Sequence, residues 1–519
     1  MYAKLRTYWF VLPALAGVLL ILTFHPFDVW PLGFVALAPL YYFAGGFKHS
    51  RKVVFAGGLI TGGLFSFFLS YYTIIQFHWL SEAYLFADLV HWLVVPITLV
   101  GGSICGLSML LYRALRGRSM LRNALLAAAL YTAAEIALGF VFGGYYLGLL
   151  AYAATPLPWV LSLASVGGAH LVSFALAFVG GFIAEACIVW PNKRSIVRAG
   201  GILVAGVVVV LVPTWIYLHR PLAVERTLSI AVLQIGARDK VVFGTEQKGV
   251  FAWPTATQLA HAAASTSPDL LIYPFSPVEG ALYRAQAPVF NKQVLVASEA
   301  SVGRLLSTVT FASTTLMTWN NLYADGHFNN EYELWQGGKV VSEYKKRDLF
   351  AFMDYTPQWA QHIGLFSTPF DVVPGAPDNR LVLDGVSLGD LMCSELHSPA
   401  LARSEVKRAP LIIAVGSEAM FQDDVASAFS LKAAQLRAAE NDIPVVRGNI
   451  LGPSGIIDRF GALEATAPAG QGALIAAPVT LTAPRQTLYN LLGEWVVYCL
   501  ICGILGSAWY ERSRAKISR

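Results

Sequence analysis

A multi-pass α-helical membrane domain joined to an α/β extracytoplasmic domain is the fold class this 519-residue sequence predicts, and three observations predict it. Charge is scarce: 13% of residues are Asp, Glu, Lys or Arg, against about 25% in a typical soluble domain. The scarcity is also local. Residues 1–220 and 488–510 are mostly apolar, while 227–485 has an ordinary globular composition and is long enough to bury its own core. Within that polar stretch, strand-like and helix-like patterns alternate, as in layered α/β folds. The limits that follow are 1–220 for about seven transmembrane helices, 221–487 for the polar domain, and 488–519 for a last helix with a basic tail.

A membrane span needs about 20 apolar residues. Windows of that kind fall near 8–24, 30–46, 53–76, 88–112, 123–141, 158–190, 199–218 and 488–510. The sixth is long enough to include an interfacial piece. No small-residue cleavage site precedes the His25-Pro26-Phe27-Asp28 turn, so the first window reads as an uncleaved helix. Basic clusters then set the orientation: Lys4 and Arg6; Lys48, Arg51 and Lys52; Arg113, Arg116, Arg118 and Arg122; Lys193, Arg194 and Arg198; Arg512, Arg514, Lys516 and Arg519. With eight spans, all five clusters fall on one side, and the positive-inside rule makes that side the cytoplasm. The polar domain is then expected on the far side of a bacterial inner membrane, in the periplasm. The net charge of +5 comes from these flanks, so it predicts topology and not a nucleic-acid footprint.

Glu135 lies inside the fifth window, where a carboxylate either ties helices together or faces a substrate. His78, Trp79 and Tyr84 read as an aromatic interface belt or as the lining of a lipid entrance. Gly167-Gly168 and Gly180-Gly181 read as close helix contacts. Of the five cysteines, Cys105, Cys187, Cys499 and Cys502 fall in predicted spans, so no disulfide framework is implied. The Cys499/Cys502 spacing sits in a continuous apolar helix and reads as packing.

In the polar domain, strands are expected at 228–234, 270–274, 294–298, 308–318 and 331–344, the last with a turn at Gly337-Gly338. A strand pair at 382–391, strands at 411–415 and 444–446, and a closing hairpin through Gly455–Asp458 and Gly461 follow. Helical patterns cover 245–265 and 425–440. Cys393 stands directly after a buried-type strand and has no cysteine partner in the polar domain. Strand exits are where α/β folds present reactive groups. A thiolate needs a nearby cation or helix N-terminus, and Lys345-Lys346-Arg347 follows the strand ending at Tyr344. Taken singly, Cys393 reads first as a small buried hydrophobe and the basic run as a solvated loop.

Together these residues form a pattern. Tyr344-Lys345-Lys346-Arg347-Asp348-Leu349, running on to Phe352-Met353-Asp354-Tyr355-Thr356-Pro357, resembles the lysine segment of the nitrilase superfamily in its membrane-bound apolipoprotein N-acyltransferase branch. Met392-Cys393-Ser394-Glu395 resembles the family's nucleophile turn. Ala419-Met420-Phe421, then Gln435 to Asn441 with Pro444 and Arg447, resemble the downstream stretch. The resemblance covers nearly the whole chain. It implies an αββα sandwich for the polar domain and a ping-pong acyl transfer. A cysteine would take a fatty acyl group from phospholipid as a thioester and pass it to the N-terminal amine of a lipoprotein. It makes Cys393 the nucleophile and Lys346 the stabiliser of oxyanion or thiolate, with Glu395, Asp354 and Ser394 supporting. Phe275, Met420 and Phe421 are then expected against substrate. The reaction calls for no metal and no cofactor.

The chain departs from the pattern where the family carries its general base. Pro268-Asp269-Leu270-Leu271-Ile272-Tyr273-Pro274 is followed by Phe275, which cannot take a proton; Glu279, four residues on, is the candidate substitute. Ser394 also replaces an aromatic, Met420 replaces a tryptophan, and Asp354 stands where the family has glutamate. Losing a general base costs on the order of a hundredfold to ten-thousandfold in rate. Three readings stay open: the lipoprotein N-acyltransferase, a nitrilase-like membrane paralogue of conjugal-transfer type with another acyl or amide substrate, and a catalytically degenerate lipid- or lipoprotein-binding protein. Cys393 and Lys346 occurring together favours chemistry; Phe275 weighs against it.

Overall fold

The computed structural model describes residues 8–75, 92–141, 144, 146–190, 193–234, 267–274, 282–283, 314–322, 328–337, 339–351, 354–362, 372–407, 409–418, 421 and 424–517. The chain divides into two compact units: Met1–Ile75, His91–Arg220 and Gln486–Arg519 form one, and Gln76–Val90 with Pro221–Arg485 form the other.

The first unit is helical. Its elements are α1 (Val11–Thr23), α2 (Ala38–Gly46), α3 (Arg51–Ser70), α4 (Val94–Leu115), α5 (Met120–Val141), α6 (Ala164–Ile188) and α7 (Lys193–Leu218). Among the described residues, five helices are long and apolar enough to cross a membrane: Arg51–Ile75, Val94–Leu115, Met120–Val141, Ala164–Ile188 and Lys193–Leu218. This is a multi-pass membrane protein. The window at 30–46 is not one helix. A 3-10 turn at Trp30–Phe34 and the nine-residue α2 share it, each with a proline in its first turn, where proline starts a helix but cannot continue one. The last window is split too: a short helix, Leu488–Leu492, turns at Gly493 into a helix over Trp495–Ile517.

The sixth window contains a break. Gly168 of α6 has φ +72°, a conformation that costs glycine nothing. A Cβ there would meet the Tyr489 ring at 2.6 Å, so Gly167-Gly168 serves a close contact, as the sequence suggests. Glu135 of α5 is a tie between elements. It accepts from Leu150 N–H at 2.9 Å and Ser173 Oγ at 3.1 Å, and lies 3.0 Å from His170 Nδ1. A fully buried carboxylate, Glu185 of α6, receives Tyr112, Arg116 and Asn123 from the α4 and α5 region at 2.6 to 3.0 Å. His78, Trp79 and Tyr84 lie outside the described residues.

The second unit is a sandwich of two sheets. Its strands are β1 (Val224–Gln234), β2 (Leu270–Tyr273), β3 (Leu282–Tyr283), β4 (Thr314–Leu322), β5 (Phe328–Gln336), β6 (Lys339–Lys345), β7 (Val382–Leu383), β8 (Val386–Ser387), β9 (Gly389–Met392), β10 (Ile412–Ser417), β11 (Val445–Ile450), β12 (Ser454–Ile457), β13 (Leu463–Ala467) and β14 (Ala473–Thr482). One sheet runs β14-β1-β2-β4-β5-β6, with β3 also on β4; the other runs β13-β12-β11-β10-β9. Each has three parallel strands, β1-β2-β4 in the middle of the first sheet and β9-β10-β11 at one end of the second, with antiparallel strands beside them. The expected strand pair at 382–391 resolves into a two-residue hairpin, β7-β8, followed by β9.

Leu228, Ile230, Val232, Leu270, Ile272, Leu316, Tyr332 and Tyr344 from the first sheet share one buried cluster with Met392, Ile413, Val415, Val446 and Ile456 from the second. Their alternation follows from the two-residue pleat, which points every second side chain inward. On the second sheet, α8 (Pro399–Val406) packs against β9 and α9 (Val425–Asn441) against β11. The helix at 245–265 and the strand at 294–298 lie outside the described residues. The sequence reading missed β14, which pairs with β1 over its whole length with Pro478 opposite Ser229. A proline argues against a central strand, and β14 ends its sheet, where the missing N–H is tolerated.

Candidate active site

β9 and β10 are parallel neighbours whose last pair is Met392 with Val415. Parallel strands deliver their C-terminal ends to one place, which is where open α/β sheets form sites. Cys393 follows β9 with φ +52°, a left-handed conformation unusual for a residue with a Cβ and found where a site holds strain. Beneath it, a Cβ on Gly416 would lie 3.3 Å from Cys393 Cα, so only glycine lets β10 pass this close without a shift.

Glu395 fixes that turn to the lysine loop. It is fully buried. One carboxylate oxygen accepts from Met392 N–H and from the Tyr344 hydroxyl, both at 2.7 Å. The other accepts from Arg347 N–H at 2.8 Å and Asp348 N–H at 2.9 Å. Four donors on one carboxylate hold the backbone just before Cys393 to the backbone just after Lys346.

Lys345-Lys346-Arg347, contiguous in sequence, is three separate arrangements. Lys345 ends β6 and pairs with buried Glu331 at 3.4 Å. Lys346, 3% exposed, places Nζ 2.5 Å from Asp354 Oδ2. Arg347 turns back to Glu405 at 2.5 Å and lies over the Tyr344 ring. A solvated loop is therefore not what this run forms. Asp354 is steadied in turn by Phe350 N–H at 2.7 Å and Asn330 Nδ2 at 3.2 Å.

The electrostatics follow. Cys393 is solvent-exposed, yet the protein packed around it displaces enough water to push its thiol above the ordinary cysteine value. The Lys346 cation and the Ser394 N–H oppose that shift; the charges of Asp354 and Glu418 add to it. Burial works against the Lys346 charge, but Asp354 and Cys393 outweigh it and hold the ammonium above its usual range. Burial also raises Glu395, against the pull of its N–H donors and Lys346. Cys393 is therefore held toward its thiol form beside a lysine held toward its charged form, and a thiol attacks a carbonyl only when a proton acceptor takes its proton.

Among the described carboxylates near Cys393, each is already engaged. Glu395 has four donors and Asp354 holds Lys346. Glu418, directly after β10, takes Arg447 Nη2 at 2.5 and 2.7 Å. The structure thus brings together Cys393, Lys346, Asp354 and Glu395. Ser394 contributes its N–H to the thiol, while its hydroxyl is buried without a partner among the described residues. Phe275, Glu279 and Met420 lie outside the described residues. Phe421 is half-buried and its N–H is bonded to Glu418 O at 3.0 Å. Sequence reasoning missed Glu418, Asn330 and Tyr332. For Glu418 a signal existed: it follows a buried strand as Cys393 does, and the two strands are parallel neighbours.

The chain matches the family model described as "Apolipoprotein N-acyltransferase N-terminal domain" over residues 16–182, and the one described as "Carbon-nitrogen hydrolase" over residues 255–487. Proteins named apolipoprotein N-acyltransferase are similar along almost their whole length. That of Vibrio vulnificus (strain CMCP6) is 23% identical over 520 residues, covering 96% of both chains. That of Rhizobium meliloti (strain 1021) is 24% identical over 534 residues, covering 95% of this chain and 93% of its own. That of Azotobacter vinelandii (strain DJ / ATCC BAA-1303) is 26% identical over 513 residues, covering 96% and 94%. Both matched domains stand in order along one chain, a cysteine, a lysine and a glutamate gather at the strand ends of the second, and the chain is similar to apolipoprotein N-acyltransferases over 95–96% of its length.

Proposed function

We propose that the protein moves a fatty acyl group from a phospholipid, through a thioester on Cys393, to the N-terminal amine of a lipoprotein. The observation that carries the reading is the left-handed Cys393 held beside the Lys346–Asp354 pair by Glu395. The Cys393 sulfur attacks the ester carbonyl of the phospholipid. A C–S bond forms, the ester C–O bond breaks, and lysophospholipid leaves with the thiol's proton. The lipoprotein amine then attacks the thioester. An amide C–N bond forms, the C–S bond breaks, and the amine's proton returns to sulfur. Lys346 stabilises the oxyanion of both tetrahedral intermediates. Glu279 is the proton acceptor in this scheme, because the described carboxylates near the thiol are engaged.

The five basic clusters support an inner-membrane placement with the second unit in the periplasm. The test is intact-mass analysis of the full chain in phospholipid nanodiscs. The wild type gains one acyl group and Cys393→Ala does not. Adding a diacylated lipopeptide with a free N-terminus discharges the adduct and acylates the peptide. No adduct in any phospholipid overturns the proposal. Phe275 favours one second reading, a catalytically degenerate lipid- or lipoprotein-binding protein. That reading predicts phospholipid binding with no adduct on Cys393.

A further inference from the structure

The β9–β10 ladder stops one residue before the nucleophile, and a side chain from the opposite sheet stands at the stopping point. Gly389 N–H bonds to Leu411 O at 2.9 Å, and the parallel register continues to Met392 opposite Val415. In such a ladder the next bonds place Val415 N–H on Leu391 O and Cys393 N–H on Val415 O. The Tyr332 hydroxyl is found at this junction. It accepts from Val415 N–H at 2.9 Å and lies 2.9 Å from Leu391 O and 2.5 Å from Val415 O, to one of which it gives its proton.

Tyr332 belongs to β5, in the other sheet, and is fully buried. Its ring lies 5.6 Å from that of Tyr344, whose hydroxyl bonds to Glu395 beyond the nucleophile. Two neighbouring rings thus reach across the sandwich and grip the nucleophile turn from both sides. Tyr344 acts after Cys393, through Glu395, and Tyr332 acts before it, through Leu391 and Val415.

We propose that Tyr332 is a positioning residue: its hydroxyl caps the β9–β10 ladder at Val415 and Leu391, so that the chain leaves the sheet at Cys393 in the left-handed conformation that presents the thiol. The inference rests on Cys393 being the nucleophile. Without the hydroxyl, Val415 N–H and Leu391 O are free to close on each other, and the strand can continue through Cys393. A displacement of about 1 Å at a reacting atom costs on the order of a hundredfold in rate.

The test uses the full chain in detergent and needs no acyl donor. Cys393 alkylation by iodoacetamide is followed by intact mass, as a rate per folded molecule across pH, in wild type, in Tyr332→Phe, and with 4-aminophenylalanine at position 332. Phenylalanine keeps the ring and removes the hydroxyl that both donates and accepts at the junction; the amino analogue restores both. Expected is a tenfold or greater slowing in Tyr332→Phe at every pH, with most of the rate recovered by the amino analogue. A wild-type rate in Tyr332→Phe, a loss only in proportion to the unfolded fraction, or no recovery with the analogue overturns the proposal. The readout is independent of the acyl-transfer reading: failure of that reading shows as acylation unaffected by Cys393→Ala, whatever the alkylation rates are.

Discussion

Glu395→Gln is the sharpest probe of how the site is held. The glutamine side chain keeps the shape but offers one acceptor oxygen in place of two. Of the four donors Met392 N–H, Tyr344 hydroxyl, Arg347 N–H and Asp348 N–H, two then face an amide NH2. An unpaired buried donor costs about 1 to 3 kcal/mol, so two cost about 2 to 6 kcal/mol. Part is returned, because burial disfavours the Glu395 charge and a neutral amide avoids that penalty. A net loss of about 3 kcal/mol is on the order of a hundredfold in the equilibrium between the locked and released turn. Hydrogen–deuterium exchange reads this directly. Amides 392, 347 and 348 should exchange on the order of a hundredfold faster, while the β10–β11 ladder keeps its protection. Unchanged protection at those three amides would refute the idea that this carboxylate joins the two loops.

Three further outcomes are expected. Alkylation of Cys393 should still be accelerating at pH values where an ordinary cysteine has levelled off, since its pKa is raised; Lys346→Met should move the midpoint higher and Asp354→Asn lower, and movement of both in one direction contradicts the charge assignment. Arg447→Met strands the buried Glu418 charge and should cost about 3 to 5 kcal/mol in chemical denaturation, with Arg447→Met/Glu418→Gln recovering more than half. Gly416→Ala puts a methyl 3.3 Å from Cys393 Cα and should slow alkylation on the order of tenfold with little change in the unfolding midpoint; an unchanged rate shows that the turn has room to yield.

How much the sequence disclosed depended on whether a residue's role was local. Cys393 was legible because it adjoins a strand, and Lys346 because a strand ends at Lys345 just before it. The five long helices were legible from hydrophobic runs alone. The broken second window carried its own warning in Pro31 and Pro39, which outweighed its hydrophobicity. What could not be read is what distant segments do once paired. Tyr332 is one aromatic among many until β5 faces β9, and Glu418 gains its partner only when β11 brings Arg447 beside it. The basic run misled for the reverse reason: adjacency suggested one charged patch, but the chain turns between its members and sends them to three different carboxylates.

The pairing of β1 with β14 gives the second unit a common doorway. Val224 and Thr482 are register partners, so the Pro221–Arg485 stretch of this unit begins and ends on strands about 5 Å apart. Its exit is pinned as well: Arg485 and Arg459 both reach the buried Asp442 carboxylate. A unit with adjoining ends is a cassette, which can be spliced between two helices at little entropic cost because closing so short a gap constrains few residues. The helices before Val224 and after Thr482 can then vary in length and sequence while the strand ends that carry Cys393, Glu418 and their partners keep their geometry. Anchorage and chemistry are separately adjustable in one polypeptide.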